Sequence, residues 1–328
     1  MVAPHVGRVR RAYGERMRQG TTQTSQPPRG RVLPGEEDWA ALAVDETSLA
    51  WRRGSDIRVF AAAGYILMLQ VAHPTVGAGV SQLSQYREDP VGRFQRTSDF
   101  TNQIVYGGPE GAARMGRLVR EMHKSIKGTR DDGERYHALE PEAFAWVHAT
   151  GAEAIVKGHE LFGIRFTASQ KEELWAEWRR VGRFLGIRWR DLPETWAGFT
   201  AYRDEMMFTR LERTVCVEEV WDSLENPLLP RRVRQLPGPA PELVRRALVH
   251  ATRLNTVGMM TPKLRERLGF SWSFAEEAEF QLNARLARAA TPVMPASLKC
   301  TGPEFAARRA DRIARGKPAP LDTSLATT

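Results

Sequence analysis

The chemistry-bearing residues of this chain fall into two groups. The first is the run Arg93-Phe94-Gln95-Arg96-Thr97. The second centres on His123, 26 residues beyond Thr97 and flanked by Arg120 and Lys127. An imidazole on an otherwise apolar helical stripe can ligate iron, and nearby cations can neutralise the propionates of a haem. Arginine and threonine on a second helix could hydrogen-bond a ligand held on the opposite face. On this reading His123 binds the metal, Arg120 and Lys127 hold the cofactor, and Arg93, Arg96 and Thr97 are catalytic. The alternative from the residues alone is a core histidine bonded to a carbonyl, with both cations solvated.

Each group needs a helix to position it. Pro109 opens one that should run to Lys127, with Gly128 as its C-terminal cap. On it Ala112, Met115, Val119, Met122 and Ile126 form an apolar face at three-to-four-residue spacing. Gly116, Arg120, His123 and Lys127 share an adjacent stripe, where Gly116 could let a flat macrocycle approach the backbone. Asp89-Pro90 starts another helix, to about Tyr106, where Gly107-Gly108 stops it. Its Arg93, Arg96 or Thr97, Phe100 and Ile104 share a face. Burying two arginines is costly without anionic partners, so either a bound anion or Asp89 and Asp99 must pair them. His148 lies on the side of Phe144 and Ile155 and could line the pocket as a cofactor contact, or be a satisfied core residue. His73, before Pro74, reads as a structural hydrogen-bonding group at a helix break. His137 and His159 have no partner at ligand spacing.

Helix signals dominate the rest. Ser55 can cap a helix to Ala72, and Pro74 can start the next, to about Tyr86. Pro141 begins one reaching about Phe162. Ser169-Gln170-Lys171-Glu172 reads as a capping box for a helix ended by Gly186. Pro193 starts another. Further helical patterns cover about 214–224, 240–258 and 274–289, with a proline-rich loop at 225–240. No convincing alternating strand pattern is present. The expected fold is all-α: a single globin-like helical haem-binding domain over 36–300, between a disordered basic tail at 1–35 and a C-terminal helix and tail at 301–328.

The net charge of +9 resides at the ends. Residues 1–35 carry seven arginines and one glutamate, and residues 299–328 carry six cations and three acids. A nucleic-acid-binding domain would place its basic footprint on the folded body, so no nucleic-acid partner is expected. The longest apolar stretch, Val59 to Ala72, is too short to span a bilayer, and no signal-peptide core stands in the first 35 residues. Two cysteines, Cys216 and Cys300, form no disulfide framework and no CxxCH, so a cytoplasmic setting and a non-covalently held haem are expected. Rival chemistries lack their parts: the one Glu-x-x-His pair, Glu134 to His137, lies in a loop, and there is no HExxH, Gly-x-Ser-x-Gly or P-loop.

Longer motifs then occur in order: Leu69-Gln-Val-Ala-His73-Pro-Thr-Val-Gly-Ala-Gly-Val80, Tyr86-Arg-Glu-Asp-Pro90-Val-Gly-Arg93-Phe-Gln-Arg-Thr97, His123 with Lys127-Gly128, Tyr136-His-Ala-Leu-Glu-Pro141, Trp146-Val-His-Ala-Thr150 and Met260-Thr-Pro-Lys-Leu-Arg-Glu-Arg-Leu-Gly-Phe270. Over about 36–300 the series resembles the bacterial family that includes latex clearing protein and the MpaB-type oxygenases. The resemblance implies b-type haem in a helical core, His123 as axial ligand, Arg93 and Thr97 on the distal side and Arg120 beside the axial ligand. It implies dioxygen-dependent cleavage of an isoprenoid double bond. Arg96 stands where the rubber-cleaving branch has a lysine able to approach the iron; a guanidinium stays protonated and cannot ligate it.

The leading expectation is therefore a haem b oxygenase acting on a small apolar substrate (isoprenoid, polyketide or lipid-like) with dioxygen. The alternatives are a haem-binding sensor or carrier without turnover, and a cofactor-free helical interaction protein.

Overall fold

The computed structural model describes residues 38–83, 90–229 and 231–299, together with single positions between 302 and 316; at 83, 90–95, 296 and 297 it describes the backbone alone. The elements are α1 (Trp39–Leu42), α2 (Leu49–Gly54), α3 (Ile57–Ala61), α4 (Ala63–Val71), α5 (Pro74–Leu83), α6 (Pro90–Tyr106) and α7 (Gly108–His123). They continue as β1 (Lys127–Thr129), β2 (Arg135–His137), α8 (Pro141–Phe162), α9 (Ala168–Phe184), α10 (Trp196–Glu205) and α11 (Val215–Glu225). The remainder are α12 (Arg231–Arg234), α13 (Ala240–Gly258), α14 (Pro262–Arg267), α15 (Phe274–Ala289) and α16 (Ala296–Lys299). A π-helical segment, Met206–Arg210, continues α10. The protein is largely all-α; among the described residues the one sheet is the antiparallel pair β1–β2.

The organising element is α8. Its alanines at 143, 145, 149, 152 and 154 are buried, as are Trp146, Ile155, Val156 and Phe162. A helix apolar around its circumference belongs inside a larger body, and two hydrophobic clusters pack on α8. One joins α1, α2, α6, α7 and α9 through residues such as Leu49, Ile104, Met115, Leu174, Trp175 and Phe199. The other joins α4, α11, α13, α14 and α15 through Met68, Leu69, Val217, Val257, Leu264 and Phe280. The small residues of α8 set the close approaches: a Cβ at Gly151 would overlap the Trp178 ring, and one at Gly158 would meet the Arg58 carbonyl at 2.5 Å.

Several boundaries depart from the sequence expectation. The helix expected to begin at Ser55 starts after Asp56, whose carboxylate accepts the Arg58 N–H, and a break at Ala62 separates α3 from α4. Asp56 is better placed because it also forms a buried ion pair with Arg58 at 2.6 Å, while Ser55 Oγ accepts the Gly302 N–H at 2.7 Å. The capping box of α9 is Thr167 with Gln170, two residues before the expected Ser169 and Glu172. Both pairs fit the same pattern, and Phe166, buried just before the cap, anchors the earlier one. The proline-rich stretch at 225–240 contains the short helix α12.

Candidate functional site

Helices α6 and α7 are joined through Gly107, and Gly108 takes a φ of 69°, a left-handed conformation that glycine adopts without strain. The chain reverses there. Phe100, Ile104 and Val105 of α6 then share one hydrophobic cluster with Ala112, Met115, Leu118 and Val119 of α7. Arg93 lies fourteen residues before Gly107 and Glu121 fourteen after it. Equal rise along two antiparallel helices therefore sets the start of α6 level with the end of α7, about one turn from His123. The Arg93 side chain lies outside the described residues. Arg96 is half-buried and Thr97 is exposed on α6, with the Thr97 carbonyl accepting the Thr101 hydroxyl at 3.0 Å.

His123 is the last residue of α7. Its Nδ1 lies 2.7 Å from the Val119 carbonyl oxygen, one helical turn back. A carbonyl can only accept, so Nδ1 carries the proton and the lone pair is on Nε2. Among the described residues the ring's one hydrogen bond is the one at Nδ1. The ring meets Phe144 edge-on, centroids 5.6 Å apart. Burial pushes its pKa down, more than the Val119 hydrogen bond pushes it up, and His137 lowers it further. The helix C-terminus favours the imidazolium, but desolvation wins and the ring is held neutral. A neutral imidazole with a fixed tautomer has the chemistry that metal ligation asks of a histidine.

The neighbours of His123 are not those the helical stripe implied. Helix α7 ends at His123, and Lys127 is an exposed residue of β1, opposite His137 of β2. The helix stops because Ile126 is drawn onto α5, where it stands by Gly79, and its carbonyl accepts the Ala138 N–H at 2.9 Å. Gly128, a poor helix former, then enters the strand. Gly116 serves helix packing: a Cβ there would overlap the Phe184 carbonyl of α9, so it offers no surface to a macrocycle. Arg120 is exposed and lies over Gly186, the left-handed turn after α9.

His148 is part of the core between α8 and α9. Its Nε2 bonds the Trp178 carbonyl at 2.8 Å, Trp178 Nε1 donates to the His148 carbonyl at 2.8 Å, and the two rings stack at 5.2 Å. Burial brings its pKa down to about 4. This is the geometry of a satisfied core histidine, the second of the two readings the sequence offered for it. His159 is also buried, with Nε2 3.2 Å from the Arg53 carbonyl.

Two features escaped the sequence reading. The β1–β2 hairpin walls a groove of about 590 Å³ lined by Lys127, Arg135, Tyr136, His137 and Glu140. His137 is locked there: Nδ1 accepts the Leu139 N–H, so Nε2 donates to the Lys124 carbonyl. Buried His73 lies 3.5 Å from Glu142, which also pairs with Arg210 at the end of the π-helical segment, while Thr75 donates to Glu140. Only Glu140-Pro141-Glu142, an acidic helix start, hinted at this cluster.

Residues 51–289 match the family described as "ER-bound oxygenase mpaB/B'/Rubber oxygenase, catalytic domain". The chain belongs to this family. The match spans α3 to α15 and therefore the second hydrophobic cluster, most of the first, α8 between them, and the α6–α7 hairpin that carries His123. No curated protein and no solved structure matches the chain. Among the described residues no helix is long and apolar enough to cross a membrane, and no group of three or more metal-binding side chains occurs.

Proposed function

We propose that this oxygenase-family domain is a haem b-dependent enzyme that oxidises a small apolar substrate with dioxygen, with His123 as the axial ligand. The observation that carries the reading is the 2.7 Å bond from His123 Nδ1 to the Val119 carbonyl, which puts the proton on Nδ1 and the lone pair on Nε2. The haem supplies the one-electron and dioxygen chemistry that side chains lack. The protein's part is to present a neutral nitrogen, exclude water and orient polar groups.

Phe144 keeps one side of the imidazole dry and fixes its plane. Arg93, Arg96 and Thr97 belong to the helix whose start is level with His123, and in this reading they would supply hydrogen-bond donors to the oxygen chemistry the haem provides. Arg120 is the candidate for a propionate. Lys127 stays a candidate from the hairpin groove, beside Arg135.

Absorption spectroscopy and a pyridine haemochrome assay on the protein expressed with ample haem test the proposal. The expected result is a Soret band that is lost in His123→Ala. An unchanged spectrum in that variant overturns the ligand assignment. Oxygen uptake with unsaturated apolar compounds, reduced in Thr97→Ala and Arg93→Ala, is the expected turnover; a Soret band without any uptake reduces the protein to a haem carrier.

A further inference from the structure

One amphipathic helix presents its apolar side to solvent. On α13, Leu243, Val244, Ala247, Leu248 and Ala251 lie on a single face, at the spacing that normally marks a core stripe. All five are exposed, Leu243 by 60 % and Leu248 by 45 %. Only the C-terminal end of α13, at Leu254, Thr256 and Val257, enters the core. An ion pair from Arg253 to Glu276 and a hydrogen bond between His250 and Glu279, each 2.7 Å, clamp α13 to α15. Helix α15 itself shows Leu282 and Leu286 to solvent.

The surroundings are strongly basic. Residues 228–254 hold six arginines and one acid, Glu242. Arg245 and Arg246 share Glu242. Arg231, Arg232 and Arg234, on α12 packed against α13, are exposed and have no carboxylate partner among the described residues. Exposed leucines beside unneutralised arginines suit an interface that is apolar within and anionic at its rim. A second copy of the chain would bring like charge against like charge across a two-fold axis. The arginine-rich residues 1–35 are repelled for the same reason.

We infer that the α12–α13 face docks on an anionic phospholipid surface, with the leucines of α13 entering the headgroup boundary and the arginines meeting lipid phosphates. The inference rests on this face alone and not on the haem assignment. For an enzyme with an apolar substrate, such a face would hold the protein where that substrate partitions.

Co-sedimentation of the full chain with phosphatidylcholine vesicles, with and without phosphatidylglycerol, tests it. Binding should require the anionic lipid and weaken as salt rises. The double variant Leu243→Glu/Leu248→Glu should lose at least about tenfold in affinity, and Arg231→Gln/Arg232→Gln/Arg234→Gln about a hundredfold. All five positions are exposed, so circular dichroism and Tm should not change. Should the leucine variant fail to fold, the arginine variant decides. Absence of binding to anionic vesicles overturns the inference. So does binding that neither variant weakens, which would assign it to the basic terminal residues. A dimer in light scattering that the leucine variant dissociates would give the face to a second copy instead. Haem content, read on the same samples, reports separately on the catalytic proposal.

Discussion

His123 and His148 are the same residue type, each with one ring nitrogen on a backbone carbonyl, and they do opposite things. At His148 both partners lie in the core: the carbonyl belongs to Trp178 on a neighbouring helix, and the Trp178 ring covers one face of the imidazole. The histidine there ties α8 to α9. At His123 the carbonyl belongs to the same helix, one turn back, so the hydrogen bond joins nothing to anything else. It orients the ring and fixes the tautomer. A hydrogen bond between elements serves stability, whereas one within an element at its exposed end serves direction.

The comparison breaks most cleanly on cofactor binding. His123→Ala should abolish the Soret band, while a folded His148 variant keeps it; the reverse result would exchange the two roles. Stability should separate them the other way. His148→Ala should cost about 2–4 kcal/mol, because it leaves a cavity against Trp178 and an unpaired buried carbonyl. His123→Ala should cost less, and denaturant midpoints at constant m-value report both.

Acid sharpens the same contrast. The folded pKa of His148, about 4, lies below the ordinary value of 6.5, so the unfolded chain takes up its proton first. The stability owed to a neutral His148 is full above pH 6.5 and is lost as pH falls from 6.5 towards 4. At 1.36 kcal/mol per pH unit this is about 3–4 kcal/mol at most. Urea midpoints at successive pH values should show that slope, and His148→Phe should remove its share of it. His159, also brought down to about 4 by burial, adds in the same window and sense.

Gly116→Ala tests the correction on α7. A methyl against the Phe184 carbonyl should cost about 1–3 kcal/mol, by overpacking two helices. A neutral result would free that surface for a ligand again. The smallest effect belongs to Lys127→Ala. On an exposed strand it should move stability by under about 0.5 kcal/mol, and haem content measured alongside shows whether the hairpin reaches the cofactor.

The fold was legible where local chemistry decides. Pro141 opens α8 and Phe162 closes it as read; Gly186 ends the α9 turn with a φ of 81°; and 240–258 and 274–289 are helices to the residue. Local rules failed where a distant partner chose between near-equal options. Ile126 packs on α5 and ends α7 early, which moves Lys127 off the histidine's helix. The β1–β2 hairpin is three residues per strand, too short for alternation to register. For the site, sequence spacing placed His123 and the Arg93–Thr97 run on successive helices, and the reversal at Gly107-Gly108 brings those helices side by side. It left His148 open between a pocket contact and a core residue, because the partner that satisfies it, Trp178, lies on another helix 30 residues away.

By itself the sequence determined that the chain is helical, where most helices begin and end, and which family it belongs to, because caps, prolines, glycines and ordered motifs act within a few residues of one another. The tertiary structure decided which histidine is satisfied, that Gly116 is a helix contact, and that the apolar stripe of α13 faces outward. Those outcomes depend on which surfaces meet across the fold, and pairing between distant segments is set by the packing of the whole core.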